Sequence, residues 1–306
     1  MGASGRKAIV VVGSIAFDSI ETPHGRQADI LGGSAVYFSA AASLAAPVRL
    51  VGVVGEDFPK SRLAFLARRG VDLGGLVVEK GRTFRWKGRY EGAMNEAKTL
   101  DVALNVFGTF RPCLPGSFRD SGYVFLANGS PVLQREVLRQ VRAPKLIIAD
   151  TMNLWIEHHR PALRALLREV DGLVLNDGEA RMLAGTANLV AAGRRVQKMG
   201  PRVVVVKKGE HGCLLFHGRA VGALPSFPTE RVVDPTGAGD SFAGGMMGHL
   251  ARTGDLSFAG FRKALVAATV TASFTVEGFG LSRLARLTRA DIARRAGDFR
   301  RAVGGW

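Results

Sequence analysis

The sequence has little cysteine and no long apolar run, and both shortages narrow the class of protein. Its two cysteines, Cys113 and Cys213, are too few for a disulfide framework and are not spaced like zinc ligands. The longest apolar stretch, residues 35–54, is interrupted by Pro47 and Arg49 and falls short of the ~18 residues of a membrane span. The amino-terminal residues are typical of a first strand and not of a signal peptide. We therefore expect a cytoplasmic protein with no membrane contact.

Two common phosphate-binding motifs are missing. No GxxxxGK[ST] occurs, which excludes a P-loop nucleoside triphosphatase, and no GxGxxG follows the first strand, which argues against a dinucleotide dehydrogenase. Acidic residues are also scarce. The chain has 26 Asp and Glu and 42 Lys and Arg, which gives a net charge of +16. The arginines are dispersed, and their densest group has the spacing of an exposed C-terminal helix face, so we expect no nucleic-acid partner.

Short β-branched runs alternate along the chain with segments of helical period. The runs are at residues 8–13, 48–55, 123–127, 145–150, 172–176 and 202–209. The helical segments are at residues 34–46, 59–70, 131–142, 160–169, 178–184, 188–199, 240–252, 257–273 and 288–302. Apolar strands separated by helices are typical of a parallel sheet covered on both faces. The sequence therefore predicts a doubly wound α/β fold with a mostly parallel sheet, forming one domain over residues 1–306.

Residues 75–112 interrupt this alternation, because they contain no convincing helix. A period of two separates aromatic from basic side chains here, with Phe84, Trp86 and Tyr90 on one face and Arg85, Lys87 and Arg89 on the other. This pattern predicts an exposed antiparallel flap. Its aromatic face needs cover, which a core, a partner subunit or a ligand could provide.

The most distinctive segment is VVDPTGAGDSFAGGMMGHL, residues 232–250. Gly237 and Gly239 allow a sharp bend, so that N–H groups at the start of a helix converge where the helix dipole is positive. An anion should bind at this point. Asp240 places a carboxylate beside it, which suits a general base that takes a proton from a hydroxyl during phosphoryl transfer. The same residues could instead form only a turn and a helix cap.

DPTGAGDSFAGG resembles the second signature of the ribokinase, or PfkB, family of carbohydrate and nucleoside kinases. Further matches follow in family order: GSIAFD, LGGSAVYFSAAASL, VGVVGEDF, LNDGEA at 175–180, VVVVKKGEHG at 203–212 and AATVTASFTVEGFG at 267–280. The resemblance implies a ribokinase-like fold with a small β lid over the acceptor substrate. The lid would be formed by about residues 17–32 and 75–112.

On the nucleotide side, the resemblance implies ATP and Mg²⁺ as cofactors. Asp240 would be the catalytic base, and Gly237, Ala238 and Gly239 would form the anion hole for the γ-phosphoryl group.

Asn176 and Glu179 match the family's Asn-x-x-Glu, which orders phosphate and the hydration shell of Mg²⁺, although the same pair could merely cap a helix. Further nucleotide contacts would come from Lys207, Gly209, Gly212 and Thr236, although any turn after a strand favours glycine. Asp234 matches a position that helps to form a monovalent-cation site in many relatives, so K⁺ is a candidate cofactor.

On the acceptor side, the resemblance implies that Asp18 accepts hydrogen bonds from substrate hydroxyls. Gly32 and Gly33 would let the backbone pass close to the substrate. Asn128, at the end of the strand 123–127, would be a further contact, since parallel sheets bind ligands beyond their carboxyl ends.

The chain departs from the family at Tyr37, which replaces an asparagine that holds sugar hydroxyls. With Phe84 and Trp86, Tyr37 could form a stacking wall for a nucleoside base or an apolar sugar face. It could equally pack within its alanine-rich helix.

The sequence therefore predicts an ATP-dependent kinase that phosphorylates a hydroxymethyl group of a small sugar or polyol. A nucleoside kinase is the close alternative. Arg82, Arg85 and Arg89 would suit a phosphosugar kinase, and the altered Tyr37 leaves room for a homologue that only binds its ligand. The exposed lid also predicts a lid-mediated homodimer.

Overall fold

The computed structural model of the chain describes residues 7–304, so residues 1–6 and 305–306 of the expected domain lie outside the described residues. The strands in chain order are β1 (Ile9–Val12), β2 (Ala16–Thr22), β3 (Gly25–Gly32), β4 (Val48–Gly55), β5 (Asp72–Glu79), β6 (Phe84–Tyr90), β7 (Ala97–Ala103), β8 (Tyr123–Leu126), β9 (Leu146–Asp150), β10 (Gly172–Asn176), β11 (Val203–Lys207), β12 (Cys213–His217) and β13 (Ala220–Leu224). The α-helices are α1 (Ser34–Ala42), α2 (Ala64–Arg68), α3 (Val106–Thr109), α4 (Pro131–Leu138), α5 (Asn153–His158), α6 (Arg160–Leu167), α7 (Asp177–Ala184), α8 (Leu189–Gln197), α9 (Ala238–Thr253), α10 (Phe258–Thr275) and α11 (Arg289–Ala302).

A sheet of nine strands forms the centre of the fold, in the order β13-β12-β11-β10-β9-β8-β1-β4-β5. The pairs from β11 to β5 are all parallel, and only β11-β12 and β12-β13 are antiparallel. The β-branched runs form this sheet because they are buried on both faces, as the fully buried β1 illustrates. The predicted doubly wound, mostly parallel α/β fold is confirmed.

Alternate residues of the central strands enter two separate apolar cores. Ile9 and Val11 belong to the core that contains side chains of α1, α9 and α10, whereas Val10 and Val12 belong to the core that contains side chains of α4, α6, α7 and α8. Helices therefore cover both faces of the sheet, as the pattern of period two within strands requires. None of the helices within residues 7–304 has the length and apolar character to cross a bilayer.

The prediction for residues 75–112 was wrong at its boundaries. Residues 72–79 form β5, the edge strand of the main sheet, where it pairs in parallel with β4. Gly74 and Gly75 interrupt the apolar pattern of this strand, which is therefore not typical of a core strand. The short helix α3 also lies inside the interval that was expected to contain no helix.

The lid is a second sheet with the order β3-β2-β6-β7. The expected antiparallel flap is in fact a mixed sheet, because β2 and β6 pair in parallel. The reason is topological: β2 continues outward from β1 and β6 from β5, two strands that run in the same direction. Pairing of β3 with β2 and of β7 with β6 is antiparallel.

The connection between β1 and the lid is attached to α1 by a reciprocal pair of serines. The backbone N–H of Ser14 donates to Ser34 Oγ at 3.2 Å, and the backbone N–H of Ser34 donates to Ser14 Oγ at 3.0 Å. The two hydroxyls are 3.1 Å apart, and the N–H of Ala35 donates to the carbonyl of Ser14 at 3.1 Å. Both serines are buried, so these bonds fix the root of the lid to the main domain.

Candidate active site

The bend before α9 has the geometry that the glycine pattern predicts. Gly237 precedes the helix with φ 74°, a left-handed conformation that favours glycine. The N–H of Ala238 donates to the carbonyl of Pro235 at 3.1 Å, so this amide is committed to the turn itself. The next two N–H groups, of Gly239 and Asp240, lie in the first turn of α9, where no helical carbonyl accepts them. An anion at this bend would therefore meet the Gly239 N–H first, because the Asp240 N–H donates to its own carboxylate.

Asp240 lies beside this bend among other charged groups. The pKa of Asp240 is raised to about 7, chiefly by burial and also by the Asp150 carboxylate, while the Lys207 ammonium and a hydrogen bond from its own N–H act against this rise. A carboxyl with a pKa near neutrality can both accept and release a proton at physiological pH. This property suits the predicted role of general base.

Asp18 and its two glycine neighbours occupy the same pocket from the lid side. A β-carbon on Gly32 would lie 1.8 Å from Asp18 Oδ2, so only glycine leaves room for this carboxyl. Burial, Asp234 and Asp240 raise the pKa of Asp18 to about 8, whereas a hydrogen bond from the Gly33 N–H lowers it. The charges of Asp234 and Asp240 both act on Asp18, as expected if the predicted acceptor-binding carboxyl and the predicted base line one pocket.

The aromatic side chains of β6 lie on the predicted face. Trp86 is directly opposite Asp18 in the β2-β6 register, so both side chains are on the same side of the lid. The Trp86 ring covers Gly88, and its Nε1 donates to Thr99 Oγ1 at 3.2 Å. Phe84 stacks on Phe107 with ring centroids 5.6 Å apart. Both rings are half-buried, which leaves part of each available to an acceptor.

Tyr37 does not form part of this wall, so that interpretation was wrong. Its side chain is 1% exposed, because every residue of α1 is buried. The ring lies under Gly237, where a β-carbon would be 2.3 Å from it. Tyr37 therefore supports the bend from below, and the alternative of packing within the protein is the correct one.

The lid arginines face away from the acceptor pocket. Arg85 pairs with Asp29 at 2.5 Å and with Asp57 at 3.2 Å, and Arg89 pairs with Glu21 at 2.7 Å. Because successive strand residues point to opposite faces, these ion pairs lie on the face opposite Trp86. Arg82 is exposed before β6. The expected grip on a substrate phosphate is therefore not supported.

Asn176 and Glu179 form a capping box at the start of α7. The N–H of Glu179 donates to Asn176 Oδ1, and the N–H of Asn176 donates to Glu179 Oε2, both at 2.7 Å. Burial raises the pKa of Glu179 to about 7, although Lys207 lowers it. The cap uses one oxygen of each side chain and leaves Glu179 Oε1 and Asn176 Nδ2 for other partners.

The two glycines after β11 have different reasons to be glycine. Gly209, at φ 54°, faces the lid, where its β-carbon would be 2.5 Å from Asn95 Oδ1. Gly212, at φ 79°, faces the carbonyl of Leu224, which a β-carbon would approach to 2.0 Å. The structure thus accounts for Gly212 by the close crossing of β13, without a nucleotide.

Asp234 closes the turn before the bend. Its Oδ1 accepts from the N–H of Thr236 at 2.9 Å, and its Oδ2 accepts from the N–H of Gly280 at 2.8 Å. Thr236 Oγ1 in turn donates to the Tyr90 hydroxyl at 3.3 Å, which joins the turn to the lid. A monovalent cation at Asp234 stays a prediction.

Asn128 lies at the carboxyl end of β8, as predicted, and both ends of its amide have protein partners. Its Oδ1 accepts from Trp155 Nε1 at 2.9 Å, and its Nδ2 donates to Met152 Sδ at 3.1 Å. An acceptor contact at Asn128 would compete with these bonds. Its role in binding stays a prediction.

Asp150 is the site residue that sequence reasoning missed. It ends β9, next to β10 in the sheet, and its Oδ1 lies 4.0 Å from Lys207 Nζ. Three strands, β9, β10 and β11, therefore end in Asp150, Asn176 and Lys207 at one edge of the sheet. The sequence pattern that could have identified Asp150 is a charged residue at the end of an otherwise apolar strand.

Comparison with known proteins identifies the class of this protein. It is a phosphotransferase with an alcohol group as acceptor. A model of the pfkB family of carbohydrate kinases matches residues 132–286. A cytidine kinase of Thermococcus kodakarensis is 31% identical over 252 residues, which cover 80% of this chain and 88% of that protein. The chain belongs to the pfkB family of carbohydrate kinases.

Solved structures share the fold over nearly the whole chain. A nucleoside kinase of Methanocaldococcus jannaschii matches with a TM-score of 0.76 at 20% identity, covering 95% of this chain and 98% of that one. An Escherichia coli protein classed as a ribokinase II, in complex with ATP and Mg²⁺, matches with a TM-score of 0.78 at 20% identity, covering 95% and 99%. These likenesses confirm the ribokinase-like fold.

Proposed function

We propose that the protein is an ATP-dependent nucleoside kinase that phosphorylates the hydroxymethyl group of the ribose. The observation that carries the kinase activity is the position of Asp240, next to the anion bend and in the same pocket as Asp18. The observation that favours a nucleoside is the pair of half-buried rings, Phe84 and Trp86, on the Asp18 side of the lid. The 31% identity to a cytidine kinase supports the same choice.

The geometry supports an in-line transfer. Asp18 accepts hydrogen bonds from the ribose hydroxyls and presents the hydroxymethyl group to Asp240. The acceptor oxygen forms a bond to the γ-phosphorus while its proton passes to the Asp240 carboxylate. The bond from the γ-phosphorus to the β,γ-bridging oxygen breaks, and its electron pair stays with ADP. The Gly239 amide holds the developing charge on the γ-phosphoryl oxygens.

The nucleotide side has oxygen donors that suit Mg²⁺. Glu179 Oε1 and the Asp150 carboxyl are carboxylate oxygens at one sheet edge, and Mg²⁺ prefers such ligands while it keeps several waters. Bound there, Mg²⁺ would neutralise charge on the β- and γ-phosphates. Asn176, Lys207, Gly209 and Thr236 are the proposed nucleotide contacts.

Two further expectations stay proposals. K⁺ is a candidate at Asp234, although both of its oxygens already accept backbone hydrogen bonds. A lid-mediated homodimer is supported by the exposed apolar side chains Leu100, Val102 and Leu104 in and after the edge strand β7.

A panel of acceptors tests the proposed function. Cytidine, uridine, adenosine, inosine, ribose, fructose and fructose 6-phosphate would each be incubated with ATP and Mg²⁺, and products identified by phosphorus NMR. We expect a nucleoside 5′-monophosphate, with kcat/KM for the best nucleoside at least about tenfold above that for any free sugar. Preference for ribose or fructose would instead make the protein a sugar kinase, the second candidate that its family membership favours. If no acceptor is phosphorylated, the protein is a binding homologue.

A further inference from the structure

The ammonium group of Lys207 lies against the anion bend. Lys207 is the last residue of β11, and a β-carbon on Gly239 would be only 2.8 Å from its Nζ. The side chain is 19% exposed, so most of it is enclosed. The positive charge therefore lies beside the residue whose amide would hold a phosphoryl oxygen.

Three carboxyl groups surround this lysine. Asp150 Oδ1 is 4.0 Å from Nζ, and its own position is fixed by a hydrogen bond of 2.9 Å from the Thr151 N–H. Burial lowers the pKa of Lys207, but Asp150, Glu179 and Asp240 outweigh it and raise the pKa above its ordinary value. The amine is therefore charged at neutral pH.

Asp150 is held in place by its main chain as well. Gln134 on α4 is buried, and its Nε2 donates to the carbonyls of Leu126, Ala127 and Asp150 at 3.0 to 3.1 Å. This single amide ties together the carboxyl ends of β8 and β9. The carboxylate that faces Lys207 consequently rests on a rigid support.

We propose that Lys207 is a further catalytic residue, whose ammonium binds a γ-phosphoryl oxygen at the Gly239 amide, and that Asp150 is the positioning residue that aims it. This inference rests on the proposed phosphoryl transfer. Lys207 keeps its proton throughout, since the proton of the acceptor passes to Asp240. Its charge balances the negative charge that moves toward the β,γ-bridging oxygen as the old P–O bond breaks.

The alternative is that Lys207 only neutralises Asp150 in the fold. The two roles differ in what they do to ADP, which lacks the γ-phosphoryl group. A lysine that contacts this group contributes to turnover and to binding of a γ-phosphate mimic, but little to binding of ADP. A structural counter-ion affects folding and all ligands alike.

The experiment compares Lys207→Met, Asp150→Asn and the double variant with the wild type. Lys198→Met, at an exposed position after α8, is the matched control for loss of a lysine. With the best acceptor of the wild type, we expect Lys207→Met to lower kcat about 10²-fold and Asp150→Asn about tenfold, with the double variant no slower than Lys207→Met. Calorimetric titration of Lys207→Met with ADP and Mg²⁺ should give a Kd within about threefold of the wild type.

A second titration adds aluminium fluoride to ADP and Mg²⁺ as a mimic of the transferring group. The wild type and Lys198→Met should bind ADP more tightly with the fluoride, and Lys207→Met should lose this gain. Normal turnover or an undiminished fluoride effect in Lys207→Met would overturn the proposal, as would equal losses of ADP binding and turnover. The double variant removes the ion pair as a whole, so that Asp150 is not left without its counter-ion, and keeps the test open if Lys207→Met fails to fold. Because this titration needs no acceptor, it decides the role of Lys207 even where the acceptor panel has failed.

Discussion

The ring of Tyr37 lies directly under Gly237, at the bend where the phosphate is expected to bind. A β-carbon on Gly237 would be 2.3 Å from this ring, so the shape of the bend depends on a side chain of a different helix. The Tyr37 hydroxyl is buried, and no group within residues 7–304 accepts or donates a hydrogen bond to it. The contact is therefore made by the ring alone.

Tyr37→Phe should preserve the bend and stabilise the protein. The substitution removes a buried hydroxyl that has no hydrogen-bond partner and keeps the ring that supports Gly237, so we expect a gain of about 1 kcal/mol in the free energy of unfolding. Urea denaturation measures it. Turnover should remain within about twofold of the wild type. A loss of stability would show that the hydroxyl has a partner, such as an ordered water.

Asp240 should govern the acid side of the pH profile. Burial raises its pKa to about 7, and only the ionised form can accept a proton, so kcat/KM should rise with pH and level off above about 7. Asp240→Asn should reduce kcat about 10²-fold or more while ATP binding remains. Initial rates across pH 5 to 9 and calorimetry with ATP check both. An acid limb centred near pH 4 would contradict the environment assigned to Asp240.

Asp18 should destabilise the folded protein as the pH rises. Its folded-state pKa of about 8 exceeds the usual value, so the folded state holds a proton that the unfolded chain has released, and stability falls as the pH rises toward 8. Asp18→Asn should remove this cost and raise the Tm by a few degrees at pH 8, with a gain that shrinks toward pH 4. Calorimetric scans at the two pH values measure the difference. The same variant should bind the acceptor less tightly.

Arg69 should be a main determinant of stability outside the active site. It is half-buried, and its guanidinium donates to the carbonyls of Ala40, Leu284, Ala285 and Leu287 at 2.7 to 3.0 Å. Arg69→Met would remove the guanidinium hydrogen bonds to all four carbonyls, at a cost of about 3 kcal/mol in unfolding free energy. The neighbouring Arg68 is exposed, so Arg68→Met should change stability by less than about 0.5 kcal/mol. Urea denaturation of both variants decides whether the carbonyl contacts matter.

Much of the core could be predicted because period and burial act locally. The six β-branched runs are all strands of the main sheet, and the nine helical segments all contain helix. The edge strand β5 could not be predicted in this way, because it contains two glycines and because its Val77 and Val78 are exposed and not part of a core. The hairpin β12-β13 was not expected for a similar reason, because alternate residues of β13 face outward.

The candidate site could be predicted in part. Asp18 and Asp240 could be predicted as site residues, because each belongs to a motif in which nearby glycines determine the backbone geometry. Tyr37 could not be placed, because its orientation depends on the packing of α1 against α9, two helices distant in sequence. The role of Asp150 could not be predicted, because this residue lies beside Lys207 only in the folded sheet. Lys207 is more than fifty residues later in the chain.

The serine pair at the root of the lid has a mechanical consequence. With Ser14 and Ser34 bonded to each other through both backbone and hydroxyl groups, the chain cannot swing at the point where it leaves β1. A hinge of the lid would therefore lie beyond Ser14, and Asp18, four residues farther along the chain, would move less than the outer strands on opening. The lid could then admit or release the acceptor while the part of the acceptor site around Asp18 keeps its shape.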